Sequence, residues 1–398
     1  MKVMQASRRP PYPFFLGGAA RCAHRLLLSL AQDHRVTCAA VGSTDYDAMP
    51  WFLPAKADLP ALGVRGVAGA IAPGTRPDAG TVLDCGYPAE VLADFTRSLA
   101  GRLRESRPDV VWAQLEGARE ILSAAAQEGI TGLLYVHDAE HDPRELRATA
   151  DLGCHVVCSS GFLARKVEAI IGRPAHVVYP ASDWYFGTAG DPAGFITMVN
   201  PFGVKGIDTL LEIARRMPLQ RFLLQESWKL NGDALASLQQ RLRGLPNVTF
   251  QHRVADMRDV YRATRLLLVP SVWEEGFGMV AVEAQSCGIP VIASARGGLG
   301  ESVGQGGLLI HDHRNVDAWV SAIGRVLDDP AVYRHWSARA RVHARSKAFD
   351  PRHVAARFLQ ICRAPAPRPR RLARGWRDLR RSVMSLPGMA RVMPGAPR

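Results

Sequence analysis

The 398-residue sequence contains no apolar run long enough to span a membrane and no leading stretch of signal-peptide form. On that ground the chain is expected in the cytoplasm. Cysteine is sparse, with seven residues at 22, 38, 85, 154, 158, 287 and 362, and their spacing builds no disulfide framework. Cys154, His155 and Cys158 fall together in CHVVC, but this reads as a buried strand with no second ligand pair at finger spacing, so no metal is expected there. No repeat of short period is found, which excludes solenoids and propellers. Acidic residues are scarce at one end only. Residues 363–398 hold ten arginines against Asp378 alone, which accounts for +9 of the net +13 and leaves a body of about +4. The basicity belongs to a tail whose lone aromatic is Trp376, so nucleic acid is not an expected partner.

What is present is regular. With 47% hydrophobic residues, the chain can bury two ordinary cores. Strand-length apolar runs alternate with helix-period segments, the pattern of parallel sheets with crossover helices. VTCAAV, DVVWAQ, TGLLYV, CHVVCSS and AHVVY read as strands of one doubly wound domain, residues 1–185. A break over 182–193, rich in Gly, Pro and Asp, precedes a second series, FITMVN, RFLLQ, NVTF, RLLLVP, PVIAS and GGLLI, giving a second domain over 194–350. DPRHVAARFLQIC predicts a terminal helix at 351–362, and a basic Pro/Arg-rich tail follows over 363–398. Within that tail, residues 371–386 set Leu372, Trp376, Leu379, Val383 and Leu386 on one helical face with arginines opposite, the form of a helix that lies on an anionic membrane surface. A disordered basic tail is the competing reading.

The stretch 270–303, PSVWEEGFGMVAVEAQSCGIPVIASARGGLGESV, carries the chemistry. It reads as strand end, loop, helix, strand and glycine turn. Gly276 and Gly278 bracket Phe277 where the loop feeds the helix, so backbone amides can approach an anion without Cβ obstruction. The helix start adds its positive dipole end, which suits a diphosphate. Glu275 and Glu283 are separated by about 10 Å along such a helix, far enough for one carboxylate to accept from sugar hydroxyls and the other from a ribose.

EEGFGMVAVEAQSCGIPVIAS resembles the Glu-x(7)-Glu signature of glycosyltransferase family 4, the group 1 glycosyltransferases. These are retaining enzymes of the GT-B fold, in which two Rossmann-like, doubly wound α/β domains face each other across a cleft. The resemblance implies that Glu275 contacts the donor sugar and Glu283 the ribose, with amides of Phe277, Gly278 and Met279 nearby. Gly17 and Gly18 are similar to the family's glycine loop after the first strand, and Arg253 and Val254 to its turn beside the nucleobase. In YVHDAEHDPREL, His137 and Asp138 end a strand where such sheets bind ligands. His137 reads either as a group beside sugar or acceptor or as a satisfied structural residue. Glu116, in WAQLEGARE, reads either as an acceptor-side carboxylate or as a helix cap.

One segment departs from the pattern. In VNPFGVKGIDTLLE the family's Gly-Arg is replaced by Asn200 and Pro201, while Lys205 and Gly206 remain. Lys205 can hold a leaving diphosphate as a point charge, but the bidentate partner is missing, and Arg253 or Arg296 is left to substitute. The resemblance implies transfer of a sugar from a nucleoside diphosphate sugar to a glycan or lipid-linked acceptor, in polysaccharide or glycolipid synthesis at the inner face of a membrane. Lys205, Glu275 and His137 stand as the catalytic group, and neither cofactor nor metal is expected. The departure leaves two other readings open: an inactive family member that binds a sugar nucleotide, and a nucleotide-sugar hydrolase or epimerase.

Overall fold

The computed structural model describes residues 1–15, 17–47, 53, 56–72, 74–183, 185–254 and 256–369. The membrane-facing helix expected over 371–386 lies outside the described residues. The chain forms two sheets, the second wholly parallel and the first parallel but for one edge, each wrapped by helices. The first holds β1 (Lys2–Ala6), β2 (Thr37–Ser43), β3 (Gly66–Ala68), β4 (Val82–Asp84), β5 (Pro88–Leu92), β6 (Val110–Gln114), β7 (Thr131–Val136), β8 (His155–Cys158) and β9 (His176–Val177). The second holds β10 (Phe195–Val199), β11 (Phe222–Gln225), β12 (Val248–Gln251), β13 (Thr264–Val269), β14 (Val291–Ser294) and β15 (Gly307–Ile310).

Strand order in the first sheet is β3-β4-β5-β2-β1-β6-β7-β8-β9 and in the second β12-β11-β10-β13-β14-β15. Numbered within its own domain, the second sheet runs 3-2-1-4-5-6, the doubly wound Rossmann order. The first has the same order from β5 to β8, extended at one edge by the antiparallel pairs β3–β4 and β4–β5. This hairpin falls within residues 66–84, whose sequence is broken by Pro and Gly.

In such sheets the crevice opens where the order reverses, outside the carboxyl ends of the two central strands. Here that means β1 beside β6 and β10 beside β13. Both reversals are marked by a side-chain-bearing residue in the left-handed region, Leu115 (φ 60°) after β6 and Asn200 (φ 64°) after β10. Such backbone persists only where surrounding contacts over-determine it.

The terminal helix, Pro351–Arg363, caps the first domain rather than the second. Its Val354, Phe358 and Leu359 join the core built by Leu26, Leu30 and Trp112, with Phe358 and Trp112 ring centroids 5.2 Å apart. The chain thus crosses between its domains twice, and the two crossings tie them together.

Candidate active site

At the carboxyl end of β10, Asn200 turns the chain out of the sheet, and its side-chain Oδ1 accepts from the backbone N–H groups of Ser227 (3.2 Å) and Trp228 (2.6 Å). The residue standing where the family pattern has glycine therefore tolerates the left-handed φ and fixes the loop after β11. That loop delivers Trp228. Lys205, from the short helical turn Gly203–Lys205, places its ammonium 4.8 Å from the Trp228 ring centre and 4.3 Å from that of Trp273. Its Nζ donates to Glu275 Oε1 at 2.6 Å, and Ser271 Oγ donates to the same oxygen at 2.5 Å. The Glu275 residue is only 8% exposed, and its carboxylate is held by a cation and a hydroxyl, with the two indoles against the cation.

Beyond Glu275 the loop passes Gly276, Phe277 and Gly278 before the helix Met279–Ser286 begins. Gly278 caps that helix at φ 89°, and a Cβ there would strike Leu299 Cδ2 at 2.5 Å, so both backbone and packing demand glycine. Phe277 is buried against Val282, Ala344 and Phe349. Glu283, about one turn down the helix, is buried and accepts from Tyr261 Oη at 2.6 Å through Oε2. Burial and the neighbouring carboxylate push the Tyr261 phenol well above its ordinary range, so it stays a donor.

The first domain meets this surface directly. The helix Gly18–Ala31 starts without a side-chain cap, and a Cβ built on Gly18 would lie 3.8 Å from Met279 Sδ. Two helix N-termini, one from each domain, therefore face each other across the cleft. One turn into the first helix, Arg21 Nη1 donates to Tyr185 Oη (2.9 Å), and Tyr185 packs edge-on against Tyr261 at 5.0 Å. The interdomain segment is gripped again by the Arg25–Asp183 ion pair.

His137 stands at the end of β7. Its Nε2 lies 3.0 Å from Gln114 Oε1, while Gln114 Nε2 donates to Ala19 O at 3.3 Å. That chain assigns the imidazole proton to Nε2 and leaves Nδ1 an acceptor. Burial, helped by the Arg9 guanidinium, pulls its pKa down to about 3, so the ring is neutral. Its carbonyl oxygen presses on Gly276, where a Cβ would come within 1.8 Å.

Glu116 accepts from Arg9 Nε at 2.7 Å and from Arg9 Nη2, and the Arg9 guanidinium lies 4.8 Å from the Phe15 ring centre. Glu116 caps nothing: the helix Ala118–Gln127 has Gly117 at its cap, with no side-chain bond. Asp138, exposed at the rim, feels both Arg9 and Lys205 through space.

The structure thus brings together Lys205, Glu275, His137 and Asp138 from opposite domains, and sets Glu283 apart on the Tyr261–Tyr185–Arg21 side. Arg253 and Val254 lie in the turn after β12, where Glu226 Oε2 accepts from the Arg253 N–H at 3.1 Å and Val254 packs on the second domain's core. The sequence reading omitted Trp228, Trp273, Ser271, Tyr261, Gln114 and Arg9. Trp273 and Ser271 lie inside the quoted motif, and a tryptophan in the loop after a strand's carboxyl end is the signal that Trp228 offered. Among the described residues no group of His, Cys, Asp or Glu is arranged to hold a metal ion.

Residues 193–329 match the family described as Glycosyl transferases group 1. Curated relatives include the D-inositol 3-phosphate glycosyltransferase of Rhodococcus opacus, 42% identical over 135 residues that make up 33% of this chain and 29% of the relative. The protein of that name from Mycolicibacterium smegmatis is 39% identical over 154 residues, 36% of this chain and 34% of the relative. The chain spans about a third of the length of these relatives. Among solved structures, Anabaena HepE in complex with UDP-glucose superposes with a TM-score of 0.70 at 18% identity, covering 90% of this chain and 98% of that one. Sucrose-phosphate synthase from Thermosynechococcus elongatus gives 0.69 at 18% identity, covering 91% and 98%. The likeness to these structures is one of fold.

Proposed function

We propose that the chain is a retaining glycosyltransferase, a reading supported by its GT-B fold and by the match of residues 193–329 to the family described as Glycosyl transferases group 1. It takes a sugar from a nucleoside diphosphate sugar and delivers it to a glycan or lipid-linked acceptor, in cell-surface polysaccharide or glycolipid synthesis. The observation that carries this reading is the Lys205–Glu275 pair at the β10/β13 reversal, walled by Trp228 and Trp273 and faced by His137 and Asp138. That Anabaena HepE was solved with UDP and with UDP-glucose supports a nucleotide sugar as donor here.

In this mechanism the ammonium of Lys205 has three N–H donors and gives one to Glu275. The others serve the donor's β-phosphate, joined by amides at the start of the helix Met279–Ser286. Glu275, fixed in place by Lys205 and Ser271, accepts from hydroxyls of the donor sugar, while Glu283 accepts from the ribose through Oε1. The acceptor oxygen bonds to the anomeric carbon on the face from which the diphosphate leaves. The carbon–phosphate-oxygen bond breaks, and the acceptor's proton passes to the departing oxygen. No enzyme nucleophile enters, because the two glutamates lie along one loop and helix instead of flanking a bond. A lysine and a helix terminus do the work that an ion does elsewhere, so transfer proceeds without metal.

The test is a screen of UDP-, GDP- and ADP-sugars by thermal shift, followed by product analysis with an acceptor pool in EDTA. The expected result is one stabilising donor and a product that keeps the donor's anomeric configuration. Inverted product contradicts retention, and a requirement for magnesium contradicts metal independence. Donor binding with no product in any pool identifies a binding protein, and release of free sugar without acceptor identifies a hydrolase. If the tail beyond residue 369 attaches the protein to anionic membranes, its deletion abolishes liposome sedimentation without changing turnover on a soluble acceptor.

His137 positions and accepts in this scheme; it does not shuttle the proton. With a folded-state pKa of about 3 against an ordinary 6.5, the native state refuses a proton that the unfolded chain takes. Stability therefore falls as pH drops from 6.5 toward 3, and turnover shows no imidazole inflection near 6.5. His137→Gln should flatten the acid limb of a denaturation series and leave the shape of the pH–rate profile unchanged. A His137 ring resonance titrating near neutrality contradicts the assignment.

A further inference from the structure

Lys205 alone is a thin counter-charge for a leaving diphosphate, which carries two to three negative charges and is best met by a bidentate cation. The family's arginine position is taken by Pro201, and Asn200 before it serves the Trp228 loop. Another cation at the same edge of the sheet is therefore required if the proposed transfer is efficient.

Arg296 answers the description. It follows β14 in the turn Ala295–Gly298, next to the β10/β13 reversal. That turn is locked to the loop holding Glu275: the Gly298 N–H donates to Glu275 O at 2.7 Å, and a Cβ on Gly297 would lie 2.2 Å from the same oxygen. Only glycine at 297 and 298 lets this turn pack so closely on the loop that holds Glu275. Its Nε is buried and has no hydrogen-bond partner, and its guanidinium forms none of the ion pairs found among the described residues.

Other sheltered arginines of the cleft differ. Arg9 is paired with Glu116, Arg25 with Asp183, and Arg21 with the Tyr185 hydroxyl. Arg253 has partners of its own. A second orphan donor, Trp273 Nε1, belongs to the residue two positions ahead of Glu275 on that loop. Buried donors without acceptors are costly, and a guanidinium without counter-charge more so. Two of them, one on the loop of Glu275 and one on the turn bonded to that loop, at a sheet's ligand-binding edge, mark the place where an anion completes the structure.

We propose that Arg296 is the second cation of the diphosphate site, a ligand of the donor's phosphates that replaces the arginine missing after β10. This rests on the donor site proposed above. It assigns Arg296 to direct contact with ligand, with Trp273 Nε1 an auxiliary donor.

The experiment is calorimetric titration of the full chain with UDP, GDP and ADP and with the matching monophosphates. Wild type should prefer one diphosphate to its monophosphate. Arg296→Gln should weaken that diphosphate about 10- to 100-fold and leave the monophosphate within about threefold, since the lost contact is charge-assisted and specific to the longer phosphate chain. Arg296→Lys should recover part of the loss. Because the side chain has no protein partner, the melting temperature of Arg296→Gln should stay level or rise; a fall signals a structural role and counts against the proposal. An unchanged ratio of diphosphate to monophosphate affinity in Arg296→Gln, with Lys205→Gln weakened, overturns the assignment of Arg296 alone. If wild type binds no nucleoside diphosphate, the donor site itself is wrong and this assignment falls with it.

Discussion

Replacing Lys205 by methionine is expected to lower turnover by about 10²- to 10³-fold, the usual cost of removing one preorganised group that stabilises charge developing on a leaving oxygen. The same change is expected to destabilise the protein, and the reason lies in Glu275. That carboxylate is 8% exposed and shares its Oε1 between Lys205 and Ser271. Without the ammonium it is a buried charge with a single hydroxyl donor, and breaking such a pair costs on the order of 3–5 kcal/mol. Ser271 keeps the loss toward the lower end. A second substitution separates the two effects. In Lys205→Met with Glu275→Gln the stranded charge is gone, so most of the stability should return while turnover stays low. Denaturant melts and initial rates on the four proteins of this cycle read both quantities. Full activity in Lys205→Met, or its recovery in the double variant, would mean that the lysine serves the fold and not the leaving group.

The pairing just described shows where sequence reading stops. Periodicity sufficed for the two doubly wound sheets, because each strand is a short apolar run and several crossover helices carry side-chain caps, such as Ser160 before Gly161 or Asn231 before Gly232. Spacing sufficed for Glu275 and Glu283, because they share one loop and helix. The hairpin β3–β4 was invisible: its strands are three residues each and are defined by pairing with β5, not by any local pattern. The destination of the terminal helix was equally hidden, since an apolar face does not say which core it will join.

Within the site, most missed residues act over long sequence separation, Ser271 being four residues from Glu275. Trp228 reaches Lys205 from the next strand's loop, and Tyr261 reaches Glu283 from the preceding helix, Met257–Arg262. Asn200 is the clearest case. As a letter it breaks a motif; as a residue at φ 64° with two backbone donors on its Oδ1, it holds in place the loop that shapes the new site. A departure from a family pattern can be understood only once the backbone conformation it must satisfy is known.

Gly276→Ala is expected to disable transfer without altering any catalytic side chain, because this glycine is the point at which the two domains close. A Cβ there would sit 1.8 Å from the His137 carbonyl oxygen and 3.3 Å from Leu163 Cδ1. Ordinary contact needs more than 3 Å, so the first domain must retreat by more than 1 Å. Around that point the closed arrangement is densely bonded. Ser160 Oγ donates to Gly276 O at 2.6 Å, and Lys166 pairs with Glu274. Glu301 of the second domain caps the helix Gly161–Ile171 of the first, accepting from the N–H groups of Gly161 and Phe162 at 2.7 Å each and from Tyr179 Oη at 2.9 Å. These bonds share one geometry, so a wedge at Gly276 strains them together. The consequence for chemistry follows from distance: a misplacement of about 1 Å between acceptor and donor costs on the order of 10²-fold. Lys205, Glu275 and Glu283 all lie in the second domain and stay together, so nucleoside diphosphate affinity should change by no more than a few fold. The expected signature is a turnover loss of about 10²-fold or more with near-normal binding and a larger radius of gyration by small-angle scattering. Loss of binding in parallel with turnover would place the effect inside the second domain and refute closure as its cause.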